Sequence, residues 1–88
     1  MPIISVFYGI IVQMFNEAGG QHHAPHIHVE YGSETAVYDL QGNVLKGSLP
    51  ANKHVLLHAW ITLHEDELIA NWSLLSKGET PMKIEGLK

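Results

Sequence analysis

Apolar side chains fill most positions from Ile3 to Met14, many of them β-branched or aromatic, and this predicts extended chain. One alternating set (Ile4, Val6, Tyr8, Ile10, Val12, Met14) is apolar without exception, while the other (Ile3, Ser5, Phe7, Gly9, Ile11, Gln13) is mixed. Gly9 marks a bend or bulge in this run, and 16–21, with Gly19-Gly20, reads as a flexible loop. The clearest hairpin joins 26–31 to 34–39 through Gly32-Ser33, a two-residue loop with glycine first that suits a type II′ turn. That turn predicts a register in which Tyr31 faces Glu34, Glu30 faces Thr35, His28 faces Val37 and His26 faces Asp39. Ile27, Val29, Tyr31, Ala36 and Tyr38 then form the core face, with His26, His28, Glu30, Thr35, Val37 and Asp39 opposite. A turn at Gln41-Gly42 leads to a last short strand near 43–46.

The second half changes period. Pro50 suits a helix start, and Val55, Leu56, Ala59, Trp60 and Leu63 recur at helical spacing. Leu68, Ile69, Trp72 and Leu75 continue the pattern after a phase slip across His64-Glu65-Asp66-Glu67, so one long bent helix and two shorter ones both fit. Gly78 and then Pro81 end it. The expected fold is α+β: an antiparallel sheet of three to four strands in the N-terminal half, with one long or broken helix packed on its apolar face. Residues 1–88 make one small domain, with 79–88 an extended tail anchored by Ile84 and Leu87. The sheet face bearing the histidines is expected to be uncovered, unless a partner or a second copy lies on it.

Composition narrows the chemistry. A core built from 88 residues, 45% of them hydrophobic, is marginal, so a metal or a partner subunit would usefully supplement it. No cysteine is present, which excludes disulfides and thiolate metal sites. Five lysines, no arginine and nine acids give a net charge of −4, which argues against nucleic acid as a direct partner. The apolar N-terminus has no basic lead-in or cleavage site and is interrupted by Gly9, so it reads as neither signal peptide nor membrane span. A cytoplasmic protein is the expectation.

Histidines carry the most specific chemistry. His22, His23, His26 and His28 fall within the run from Gln21 to Tyr31. Strand alternation puts His26, His28 and Glu30 on one face, about 6–7 Å from one to the next. Two imidazoles and a carboxylate so placed resemble a 2-His-1-carboxylate site for Zn²⁺, Ni²⁺, Fe²⁺ or Mn²⁺. Asp39, opposite His26, can act as a further ligand or accept the second ring N–H of His26. The plainer alternative is a polar sheet face whose imidazoles hydrogen-bond to Asp39, Glu30 and backbone carbonyls. His54 and His58, at i and i+4, lack an inner carboxylate and read as a solvated helix face. The run from His64 to Glu67 reads as a helix start with His64 capping the segment before it. Trp60 and Trp72 lie on apolar stripes, as core or interface residues do. No serine sits in a nucleophile motif, and there is no phosphate-cradling glycine loop.

Several of these residues together resemble the domain-of-unknown-function family 4160. They are the opening Met-Pro-x-Ile-Ser-x-Phe-Tyr-Gly-Ile, the run His22-x-Ala-Pro25-His26-x-His28-Val29-Glu30-Tyr31-Gly32, and Gly47-Ser48-Leu49-Pro50. Trp60, Leu63-His64-x-x-Glu67-Leu68, Trp72 and the closing Pro-x-Lys-Ile-Glu belong with them. Ala24 stands where the family pattern has a proline, and Ala51-Asn52 replace its basic residue after Leu-Pro, which weakens any inference to RNA. The resemblance implies a small prokaryotic protein encoded beside another small protein, in a toxin–antitoxin-like pair. Of the histidines, His22, His26, His28 and His64 match the pattern, whereas His23, His54 and His58 do not.

The expected function is therefore an interaction or regulatory module whose partner is either itself or the neighbouring gene product. An alternative is a metal-dependent hydrolase, with His26, His28 and Glu30 or Asp39 as ligands and His22 or His64 as acid or base. A histidine-based ribonuclease toxin without metal is a third reading, and the absence of arginine counts against it.

Overall fold

The structure, a computed structural model, describes residues 2–15 and 24–88. Its elements are β1 (Ile3–Phe7), β2 (Ile10–Gln13), β3 (His26–Tyr31), β4 (Glu34–Asp39), β5 (Val44–Gly47), α1 (Ala51–Leu63) and α2 (Glu65–Ser76). The class is α+β as expected, but among the described residues the antiparallel sheet has five strands in the order β1-β2-β3-β4-β5 and there are two helices.

The additional strand comes from the N-terminal run, which is a hairpin and not one strand with a bend. Tyr8 (φ 50°) and Gly9 (φ 78°) both adopt the left-handed region, the requirement of a tight primed turn. A bulge between Ile3 and Ser5 makes Ile4 an extra residue and shifts the alternation. Ile4, Phe7, Ile10, Val12 and Met14 are therefore buried, while Val6 and Tyr8 of the alternating apolar set are 58% and 53% exposed.

The central hairpin has the register that its turn dictates, from His26 opposite Asp39 to Tyr31 opposite Glu34. Gly32 has φ 59° and Ser33 does not enter the left-handed region, consistent with a II′ turn. Ile27, Val29, Ala36 and Tyr38 face the core, with Tyr31 packed at its margin. Gly47 (φ 74°) closes β5 where a Cβ would collide with the carbonyl oxygen of Thr35, so only glycine lets β5 approach β4 here.

Leu57, Trp60 and Ile61 of α1 and Leu68 and Leu75 of α2 complete the core. Trp60 packs on Phe7 with ring centroids 5.1 Å apart. The phase slip is a true break: His64 leaves helical geometry (φ −116°, ψ 22°), its N–H donating to Trp60 O and its carbonyl accepting from Leu68 N–H. Glu65, Asp66 and Glu67 follow in the first turn of α2, where acids favour the positive helix end.

The tail is held more firmly than its composition suggests. Asn71, itself buried, donates to Met82 O and accepts Met82 N–H, both at 2.8 Å. Ile84 N–H donates to Ile4 O (2.7 Å), and Trp60 Nε1–H donates to Glu85 O (2.8 Å). These bonds lay the chain along the outer edge of β1, leaving β5 as the open edge of the sheet. No helix among the described residues is long and apolar enough to cross a membrane.

Replacing Asn71 by Ala deletes both bonds to Met82 and leaves backbone groups unpaired. The expected cost is about 2 kcal/mol, read from the shift of a urea unfolding midpoint at unchanged slope.

Candidate functional site

Chain direction at the start of β3 is set by Pro25. A residue before proline is pushed to extended geometry, and here Ala24 presents its carbonyl to the His26 ring. His26 Nδ1 lies 2.8 Å from Ala24 O. A carbonyl oxygen only accepts, so Nδ1 carries the proton, and the neutral ring has its lone pair on Nε2. His26 is only 1% exposed. Its ring meets His28 edge-on (centroids 5.2 Å, 64°) and Trp72 of α2 at 5.1 Å. His28 in turn stacks on Phe15 at 4.4 Å and 21°. The Nε2 atoms of both histidines are shielded from solvent.

The expectation of an uncovered histidine face is thus corrected at this end of the sheet. Trp72 and Phe15 cover it, and Gln13 and Val37 on the same face are also buried. The remainder is more open: Thr35 and Lys46 are exposed and Glu30 is half-buried.

Of the four residues selected as metal ligands, the structure brings His26 and His28 together and leaves the carboxylates apart. Asp39 sits opposite His26, but its Oδ1 accepts Gln41 N–H (2.9 Å) and Asn43 N–H (2.8 Å), and its Oδ2 accepts the Asn43 amide (3.0 Å). It is the organiser of the β4–β5 turn. Glu30 pairs across the sheet with Thr35, one alternation beyond His28. Among the described residues, no group of three or more His, Asp or Glu side chains is placed to hold a metal ion. His22, a candidate acid or base, lies outside the described residues together with His23 and the 16–21 loop. The other candidate, His64, belongs to the helix junction: its Nδ1 is 2.5 Å from Glu67 Oε1, and its ring packs on Trp60.

One part-buried polar pair links the core face of the sheet to α1. Tyr38, fully enclosed, places its hydroxyl 2.7 Å from His54 Nδ1, so the residue read as part of a solvated helix face is a core partner. The signal for it in the sequence is Tyr38 on the core face, since a buried phenol needs a polar partner and His54 stands on the helix above it. Burial holds the Tyr38 phenol above its ordinary pKa. His58, one helical turn beyond His54, lies beside Gly42.

Sheet, helix pair and covered imidazoles define a small α+β domain with an aromatic-walled histidine cluster at one end. The chain belongs to the family described as Domain of unknown function (DUF4160), which it matches over residues 9–73. That span includes His22, His26, His28, His64, Trp60 and Trp72, and omits both the opening strand and the tail that pairs with it. No curated protein and no solved structure matches the chain.

Asp39 provides a pH test of its role in the turn. Burial works to raise its carboxyl pKa, but the hydrogen bonds from Asn43, Gln41 and Gly42 outweigh this and hold it below the ordinary value. A lowered folded-state pKa gives stability that is present above the unfolded value and lost as pH falls through the folded one. Asp39→Asn is expected to cost less than about 1 kcal/mol at neutral pH, since the site is largely solvated. The difference from wild type should vanish in acid, as measured by urea unfolding across the carboxylate range.

Proposed function

We propose that this chain is a small cytoplasmic interaction module of regulatory role, working as one member of a protein assembly in a toxin–antitoxin-like gene pair. The observation that supports this reading is the outer face of α1. An ordinary surface helix is apolar on one side and charged on the other. α1 buries Leu57, Trp60 and Ile61, yet its outward positions are Ala51, Asn52, Val55, His58, Ala59, Thr62 and Leu63. None of these carries a formal charge with histidine neutral, and Val55 and Leu63 are 64% and 69% exposed. Such a face is characteristic of a helix that a partner covers.

The test is assembly. Purified alone and co-expressed with the product of the adjacent gene, the chain is expected to form at least one stoichiometric complex, and Val55→Asp/Leu63→Asp is expected to abolish it. A protein that stays monomeric and does not co-purify with the neighbour overturns the reading.

A metal-dependent hydrolase remains the second reading, favoured by one specific feature. The Ala24 carbonyl fixes the His26 tautomer so that the nitrogen with the lone pair is the shielded Nε2, close to a second imidazole, as in many metal-binding histidines. Tag-free protein carrying stoichiometric Zn, Ni, Fe or Mn, lost in a folded His28→Ala variant, promotes this reading. Metal-free protein whose stability is indifferent to chelator sinks it.

A further inference from the structure

His54 and His58 stand one turn apart on α1, so their imidazoles rise from the same side of the helix. The ring centroids lie 6.0 Å apart. Each ring is seated by the sheet layer beneath. The Tyr38 hydroxyl lies 2.7 Å from His54 Nδ1, so Nε2 is the nitrogen that the phenol does not engage. His58 lies against Gly42, where a Cβ would come 2.6 Å from its Cδ2 and 2.8 Å from its Nε2. Glycine at 42 therefore gives that ring its place and keeps the space beside Nε2 clear. A merely solvated helix face requires neither arrangement.

The electrostatics suit a cation. Lys53, next in the chain to His54, is drawn away: its ammonium donates to Tyr8 O (3.2 Å) and lies 4.9 Å from the Tyr31 ring centroid. The outward positions of α1 carry no formal charge, and the chain as a whole is at −4.

We propose that His54 and His58 chelate a divalent transition ion of the Zn²⁺ type through their Nε2 atoms. In that state His54 Nδ1–H donates to the Tyr38 hydroxyl oxygen, the kind of bond that holds a ligating imidazole in orientation. Two Zn–N bonds of about 2.0–2.1 Å at a tetrahedral angle place ring centroids about 5 Å apart. The exposed His58 ring thus closes on His54 by roughly 1 Å. Two imidazoles are fewer than the ligands of a closed structural site, so water completes the tetrahedron and the ion exchanges. The site is separate from the His26–His28 pair, which belongs to β3 under Trp72. Its consequence is local: the ion ties together two turns of α1, a helix whose N-cap makes no side-chain bond.

Calorimetric titration of the full, tag-free chain with ZnCl2 tests this, using His22→Ala/His23→Ala as the background to remove two further imidazoles. One equivalent is expected to bind, with an affinity that falls on the order of tenfold or more in His58→Ala, as loss of even a ligand's hydrogen-bond partner brings. His28→Ala is expected to leave that equivalent unchanged. His58→Ala/Ala59→His restores the histidine count but moves the second ring off the shared side of the helix, and it is expected not to recover binding. Zn²⁺ is also expected to raise the urea unfolding midpoint of the background protein and not that of His58→Ala. No uptake at millimolar Zn²⁺, uptake unchanged in His58→Ala, or full recovery with the histidine at 59 overturns the proposal. Uptake lost in His28→Ala and kept in His58→Ala also overturns it, and assigns the ion to the β3 pair.

Discussion

The Gly32-Ser33 turn is the constraint on which the remaining placements depend. With two residues and a left-handed glycine first, it permits one register of β3 against β4, and Ile27 comes opposite Tyr38 and Val29 opposite Ala36. Slipping that register by one residue would put His26 and His28 into the apolar layer and turn Ile27 and Val29 outward. The same register delivers Tyr38 to the underside of α1, where its hydroxyl meets His54, and seats Asp39 at the mouth of the β4–β5 turn that it organises. Helix packing, turn geometry and the histidine face thus follow from one local backbone choice.

At the far end of that hairpin an imidazole is buried almost completely, which an unsatisfied polar group could not tolerate cheaply. His26 meets the requirement with its nearest neighbour, the Ala24 carbonyl, and with aromatic surfaces on its flanks. Trp72 is the means by which the helical layer reaches the polar side of the sheet, and Phe15 does the same from the end of β2. The result is a shielded imidazole pair in which His26 has a fixed tautomer, chemically distinct from a solvated run of histidines. Asp39, the carboxylate nearest in register, is occupied by three hydrogen bonds from the turn, so it serves architecture first.

What the sequence made legible was whatever local chemistry decides. Gly32-Ser33 encodes its own register, the slip across 64–67 marks where the helix bends or breaks without deciding which, and Ile84 and Leu87 stand out as anchors in a polar tail. The rest required tertiary positions. Tyr8 in left-handed geometry follows no propensity, because Asn or Gly normally takes that place, so the N-terminal run read as one strand. The bulge at Ile4 and the turn at Tyr8-Gly9 then bury Phe7 and expose Val6 and Tyr8, while Ile4, Ile10, Val12 and Met14 stay buried. Trp72 on His26, and Asn71 gripping Met82, join residues far apart in sequence, and no spacing rule announces them. In the histidine cluster the sequence identified the residues that lie together, His26 and His28, but not the aromatic walls around them.

The helical layer raises a question of stability that the fold alone leaves open. A domain of 88 residues buries a modest fraction of its surface, and here one of its two helices spends apolar side chains on both sides. Val55 and Leu63 contribute nothing to the core from their outward positions, and an isolated domain would gain solubility from charges there. Covering that face makes stability depend on protein concentration, because any partner that binds the folded chain and not the unfolded one adds to its stability by mass action. Since α2 begins at His64, where α1 ends, and carries Trp72 onto His26, the helix pair that presents the outer face is also the one that closes the histidine end. Trp72 lies two turns beyond the His64 break on α2, so the cover of His26 depends on the direction in which α2 leaves that junction.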